Sequence, residues 1–524
     1  MARTDDLTLN FLFALFVSTL GPLLFGYHLA ELNAPQQVIT CAKTTASGGA
    51  LARIYSTFTT STTTAGSTGL PRCIPMTPAQ FGLVSSFFTL GGLIGALAAG
   101  PITGRYGRLK SMIYASGFAA LGPVFEALAP DIGIMTLGRF VAGLGAGAAT
   151  VTVPIYISEI APPNQKGFFG SFTQVMINSG IFITQLLGFF LSHGQFWRIV
   201  LAVGGVIALA QTIGLLLGGQ ESPKWLADNG KSARARRILR KLRGHEVDIE
   251  AEVSGWGMDS AQDADDEEDE LLREDHEHAS SSSDRNNNTA TQQVTSDAKK
   301  LGKFVKQSTI GPFAVLRHPD YYPAVFAVMM IMVAQQLCGI NSIVMYGVGL
   351  LSDLLAANSA LLNVGVSALN IIITVSAAPL VDRLGRKTCL LVSITGMGIS
   401  DAMLAVGIMK HIPILAAVSV ILFITSFGLG LGPIPFILSS ELVGAEAVGA
   451  TQSWALAANW IATFLVAQFF PIVNEKLGKG QVYFIFAGFA VLFGAFTAYW
   501  VPETKGKKDA NEVWGRKKAD HRED

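Results

Sequence analysis

Six uncharged amides stand in long apolar runs: Gln174, Gln335, Gln336, Asn341, Asn370 and Asn459. An amide donates and accepts from one side chain, which suits a neutral, hydroxyl-rich solute that must exchange its hydration for other partners. Each amide taken alone could instead bond a neighbouring helix. Gln185 lies three turns beyond Gln174 and is expected to support it. His28 and Glu31 share one helical face in another apolar run. A histidine ordinarily titrates at about pH 6.5, and an ionisable group in hydrocarbon is a functional suspect by default. The two could therefore carry a proton, or form a permanent hydrogen-bonded pair that fixes their helix. Arg139, Glu159, Arg383 and Glu441 also need partners and are expected to find them at helix ends. Walker, Rossmann and metal-ligand spacings are absent, so neither an enzyme nor a bound metal or cofactor is expected. Gly143-Leu-Gly-Ala-Gly147 reads as close helix packing, where small side chains let backbones approach.

The elements that must position these groups are apolar and long. Of 524 residues 50% are hydrophobic and 15% charged, and the mean hydropathy is +0.43. Twelve spans of membrane-crossing length fall at roughly 10–33, 78–100, 111–129, 132–157, 168–190, 197–218, 321–347, 358–381, 389–408, 412–438, 450–472 and 482–501. A basic Arg-x-Gly-Arg turn, within Gly100 to Lys110 and again within Val381 to Lys387, closes the second and eighth spans. A six-span unit is thus duplicated, the sign of a transporter. The first span has no cleavage site after it and reads as a retained helix. Glycine and proline interrupt spans seven and ten at Gln335 to Asn341 and Gly428 to Pro435, where backbone groups can face a cavity instead of lipid.

Basic residues crowd between Lys231 and Arg243 and in the tail, so the positive-inside rule places both termini and the central loop in the cytosol. On the other side lies the loop of residues 34–77 with Cys41 and Cys73, which either pair in an oxidising compartment or stay as two thiols. The expected organisation is a first six-helix bundle over 1–218, short amphipathic helices over 219–245, an acidic disordered linker over 246–306, a second bundle over 307–504 and a basic tail over 505–524. Inside the linker, Glu267-Glu-Asp-Glu-Leu271-Leu272 has the form of an acidic dileucine sorting signal, or is a chance pair. With the non-cytosolic loop it favours a vacuolar or late endosomal membrane over the plasma membrane.

Nine blocks in order carry a resemblance: Phe25 to Pro35, Gly138-Arg139, Pro154 to Pro162, Glu221 to Trp225, Gln335 to Asn341, Asp382 to Arg386, Gly432 to Pro435, Asn459-Trp460 and Pro502 to Gly506. On them the chain is identified as a member of the sugar porter branch of the major facilitator superfamily, similar to the facilitative glucose transporters and of fungal type. The resemblance implies an all-α membrane protein of the major facilitator fold, with twelve transmembrane helices in two six-helix bundles, acting as a monomer without nucleic acid. It implies that the six amides, with Phe436 and Trp460 as an apolar wall, contact the sugar. It also implies that Arg108, Arg139, Glu159, Arg383 and Glu441 form cytosolic gating networks.

Departures bear on each part. Gly104, Lys166 and Val448 replace charged family positions in those networks. Gly428 stands for a sugar-binding Glu and Phe436 for a Trp, which would lose an acceptor pair and an indole donor while gaining room. His28 stands where family symporters place Asp and uniporters Asn. The expected function is transport of a hexose or related polyol by alternating access as a facilitative uniporter. The alternatives are proton coupling through His28 and Glu31, or a transporter-like sugar sensor or trafficking protein.

Overall fold

The computed structural model describes residues 8–42, 70–244, 247–254, 256, 312–355, 358–444, 447–507 and 510–515. Their regular structure is helical throughout. The first bundle is α1 (Leu9–Ala30), α2 (Pro78–Tyr106), α3 (Arg108–Ala127), α4 (Ile132–Ile160), α5 (Lys166–Leu191) and α6 (Trp197–Gly218). The second is α7 (Tyr322–Leu337), α8 (Ile340–Leu355), α9 (Asn358–Leu384), α10 (Arg386–Met409), α11 (Pro413–Leu429), α12 (Ile434–Glu441), α13 (Val448–Leu477) and α14 (Val482–Trp500). Among the described residues eleven spans are long and apolar enough to cross a membrane, α7 with α8 and α11 with α12 each counting as one. The remaining helix, α3, is also 20 residues long but carries Arg108, Lys110 and Glu126. The protein is a multi-pass membrane protein.

Local signals start the helices. Thr8 accepts from Phe11 N–H at the head of α1, Asp131 does the same for Ile134 in α4, and Thr77 with Gln80 forms a capping box on α2. Against expectation, α2 runs on through the first basic turn and gives way to α3 only at Gly107. There φ is +92°, and at the equivalent Gly385 it is +96°. A Cβ on Gly107 would lie 2.3 Å from Glu221 Oε2, and one on Gly385 2.6 Å from Glu503 Oε2. The two halves thus repeat one device. Glu221 accepts from Arg108 and Leu109 N–H at 2.8 and 3.1 Å, while Glu503 accepts from Arg386 and Lys387 N–H at 2.9 and 3.1 Å. A carboxylate at a helix N-terminus meets its orphan donors and positive dipole end.

Burial alone would raise the Glu503 carboxyl, but the N–H groups of Lys505, Arg386, Lys387 and Thr504 outweigh it, so it sits below the ordinary 4.5. A lowered folded value means the contribution to stability is full above the unfolded value and is lost as pH falls through the folded one. The melting-temperature gap between wild type and Glu503→Gln should therefore hold at neutral pH and close on acidification; a gap that widens in acid would contradict this.

The amphipathic helix Ser232–Arg243 packs its apolar face on protein. Ala235, Ile238, Leu239 and Leu242 are buried in a cluster with Phe11, Ile249 and Val253. Thr8 Oγ1 donates to Leu242 O at 2.8 Å. Arg243 donates to Ile160 O at 2.6 Å and Ala161 O at 3.1 Å, satisfying carbonyls at the end of α4, and pairs with Glu252 at 2.8 Å. The dileucine Leu271-Leu272 lies outside the described residues.

At the end of the bundles opposite the termini, the halves clasp each other. Asn33, buried just past α1, donates to Val344 O at 2.8 Å and accepts from Val348 N–H at 2.9 Å. Gln37 reaches Ser352, and Ser86 of α2 donates to Gln468 of α13 at 2.9 Å. Cys41 and Cys73 are disulfide-bonded there, with Cα atoms 5.3 Å apart.

Candidate functional site at the seam between the bundles

The six amides fall into two networks. In the second bundle, Asn341 donates to Gln336 at 2.5 Å, Gln336 to Gln335 Oε1 at 3.1 Å, and Asn459 to the same Oε1 at 2.8 Å. Gln335 donates onward to Leu431 O at 2.6 Å, a carbonyl freed by the glycine–proline break between α11 and α12. The break and the amide satisfy each other, as backbone at membrane depth requires. The other network bridges the bundles. Gln174 donates to Asn178 Oδ1 at 3.3 Å, Asn370 to the same oxygen at 3.3 Å, and Asn178 to Thr374 at 2.7 Å. Asn178 and Thr374 were not singled out from the sequence, yet each lies one turn beyond a residue that was, at i+4 from Gln174 and Asn370. Gln185 is buried on α5.

Trp460 closes the seam with aromatic edges: its ring lies 5.4 Å from Phe25 and 6.3 Å from Phe88, both in the first bundle. Phe436 on α12 is 37% exposed and shares none of these ring contacts. Gly428 does not leave room either. A Cβ there would meet Ile373 Cγ2 at 2.6 Å, so the branched side chain from α9 occupies the volume beside it.

Amides that bond one another can each give a bond to a hydroxyl, and losing one leaves its neighbours unpaired. Gln336→Ala strips a partner from both Gln335 and Asn341, and Gln335→Ala strips Asn459 and Gln336. Either should weaken solute affinity or slow transport by about 1–3 kcal/mol equivalent while the protein stays folded. Unchanged affinity and rate in both would move the solute elsewhere.

His28 and Glu31 do pair, with His28 Nδ1 3.0 Å from Glu31 Oε2. Their third member comes from α4. Arg139 Nη1 donates to Glu31 Oε1 and, at 2.7 Å, to His28 O. Its guanidinium stacks on the Phe88 ring at 4.6 Å. All three side chains are fully buried. Arg139 thus departs from the expected helix-end network: it sits two turns inside α4, facing α1, because α4 begins at the end opposite the termini. Glu126 of α3 joins the group, although the sequence reading passed over it; a carboxylate inside an apolar span was the available signal.

The networks near the termini are built by other pairs. Arg108 grips Glu159 with two bonds of 2.7 and 2.8 Å, the fork geometry of a strong ion pair. In the second half Arg386 holds Glu441 at 3.0 Å. Arg383 is not that partner: it is exposed in the last turn of α9, where the chain geometry aims the first residue of α10 at Glu441. Where Val448 removes a charge, the Thr504 hydroxyl donates to Glu441 Oε2 at 2.5 Å.

A duplicated helix bundle with polar groups gathered at its seam and ion pairs at one end defines a membrane transporter rather than an enzyme. The family profile described as "Sugar (and other) transporter" matches residues 13–513, and the chain belongs to that family, within the major facilitator superfamily. It is 33% identical to "Probable metabolite transport protein YBR241C" of Saccharomyces cerevisiae, over 95% of this chain and 93% of that one. It is 29% identical to "Vacuolar protein sorting-associated protein 73" of the same yeast, over 94% and 93%. Human facilitated glucose transporter member 3 is also 29% identical, over 96% and 92%. The relatives reach beyond fungi to mammals and a bacterium. The fold matches the partially occluded inward-open xylose transporter XylE from E. coli with a TM-score of 0.69, at 23% identity over 96% and 100% of the chains.

Proposed function

We propose that the protein moves a hexose or related polyol across a membrane by alternating access, coupled to protons through the buried cluster of His28, Glu31 and Arg139. One observation carries the reading. Arg139 lies against Phe88, Phe88 against Trp460, and Trp460 follows Asn459 of the amide network. A change of charge in the first bundle therefore has a contact path to the amides of the second. A structural neighbour described as a D-xylose-proton symporter supports coupling. Facilitated glucose transporters among the relatives support a second reading, passive uniport.

The clasp by Asn33 belongs to the gate that must open when the solute site turns to the other side. Arg108–Glu159 and Arg386–Glu441 belong to the gate at the end of the termini, which we place in the cytosol. We place the protein in a vacuolar or late endosomal membrane, with Leu271 and Leu272 read by a sorting adaptor. An unchanged distribution of the Leu271→Ala, Leu272→Ala variant would refute that placement. Uptake of radiolabelled hexoses and pentoses into proteoliposomes, with and without an imposed proton gradient, tests the whole reading. Saturable uptake concentrated by the gradient is expected, and absence of sugar uptake under both conditions would overturn it.

A further inference from the structure

Glu126 is fully buried on α3, one residue before the helix ends. Among the described residues no N–H or O–H group donates to either of its carboxyl oxygens. It lies in the group gathered at Glu31 and Arg139, where a buried carboxyl without donors is costly in its ionised form. Two ionised carboxylates against the one buried arginine would leave a net negative charge in the interior, so the pair holds one proton.

The geometry points to Glu126 as its bearer. Both oxygens of Glu31 are engaged, Oε1 by Arg139 and Oε2 by His28 Nδ1, so Glu31 has the donors that an ionised carboxylate needs. Glu126 has none, so the protonated form is the one this place suits. The titratable and charged groups facing it are Glu31 and His28 from α1 and Arg139 from α4, with Tyr27 of α1 further back. From α6, Arg198 binds the backbone at the end of α3, at Ala127 O and Ala129 O. The site has room built for it: a Cβ on Gly138 of α4 would lie 2.6 Å from Glu126 Cγ. With Arg139 charged and His28 neutral, the cluster sums to zero when Glu126 is protonated and to minus one when it is not. Hydrocarbon surroundings favour the first state.

We propose that Glu126 holds the proton that this carrier transports, with Glu31 kept ionised by Arg139 and His28 as a neutral donor that does not titrate in the cycle. The Glu126 carboxylate takes up one proton from one compartment and gives it to the other after the bundles reorient. No other bond is made or broken. The sugar senses the change through Arg139, Phe88 and Trp460, so the proposal rests on the coupled-transport reading.

The test uses full-length protein in proteoliposomes with an imposed proton gradient and radiolabelled sugar, for wild type, Glu126→Gln and Glu126→Asp. Glutamine copies the protonated acid and should fold. The expected result is that wild type accumulates sugar, Glu126→Gln brings it only to equal concentrations inside and out, and its counterflow no longer responds to pH. Glu126→Asp should keep accumulation with a displaced pH profile. Accumulation by Glu126→Gln equal to wild type would overturn the assignment and leave proton coupling standing. Wild type that never accumulates sugar would overturn coupling, and the transported-proton role with it. Should Glu126→Gln fail to fold, an Asp variant with an undisplaced pH profile overturns the proposal and a displaced one supports it.

Discussion

Arg139→Met should destabilise the protein by about 3–5 kcal/mol, the usual cost of removing one partner from a buried ion pair. Among the described residues the arginine is the only permanent cation gathered at Glu31, and its Nη1 also holds the His28 carbonyl. Without it the Glu31 carboxylate keeps a single neutral donor in an apolar interior. Detergent-solubilised protein should show a large fall in melting temperature and in monodisperse yield. Adding Glu31→Gln to Arg139→Met should restore part of the loss, because the second change removes the stranded charge. Equal stability of the single variant and wild type would mean that the pair is solvated in a way its burial excludes.

Gly147→Val should be nearly as damaging for a different reason. A Cβ at Gly147 would stand 2.0 Å from Gly92 O, and one at Gly143 2.1 Å from Phe88 O. Here the backbones of α2 and α4 touch, and no side-chain rotation can clear the clash. Overpacking in a close-packed interior costs about 1–3 kcal/mol, and a contact with rigid backbone belongs at the upper end. Gly117 provides the control, since a Cβ there meets nothing within 4 Å. Thermal unfolding should separate Gly147→Val from Gly117→Val widely; similar losses in both would show that helix propensity, not packing, governs.

The sequence made some of this site legible and hid the rest for identifiable reasons. Amides in apolar helices are conspicuous because hydrocarbon offers them nothing, and Gln335, Gln336, Asn341 and Asn459 do meet in one network. The bond from His28 to Glu31 follows from spacing along one helix. The partner of Arg139 does not, because it depends on how α4 is rotated against α1, which no local pattern encodes. The same holds for Arg386 over Arg383: the deciding feature is the left-handed Gly385, which turns the chain before α10 begins. Gly428 was read as vacant space since a deletion of atoms is visible in a sequence, whereas the neighbour that fills it, Ile373, lies on another helix. The acidic residue inside α3 was visible and overlooked; only its contact with Glu31 gives it meaning.

The most direct measurement is sugar-triggered proton movement. Wild-type protein is reconstituted into vesicles holding a pH-sensitive dye, with equal pH on both sides, and transported sugar is added outside. Proton-coupled transport predicts that the lumen acidifies as labelled sugar enters, with both fluxes saturating together and both abolished by dissipating the vesicle's permeability barrier. Sugar entering at full rate while the luminal pH stays constant would contradict the account and leave a passive carrier.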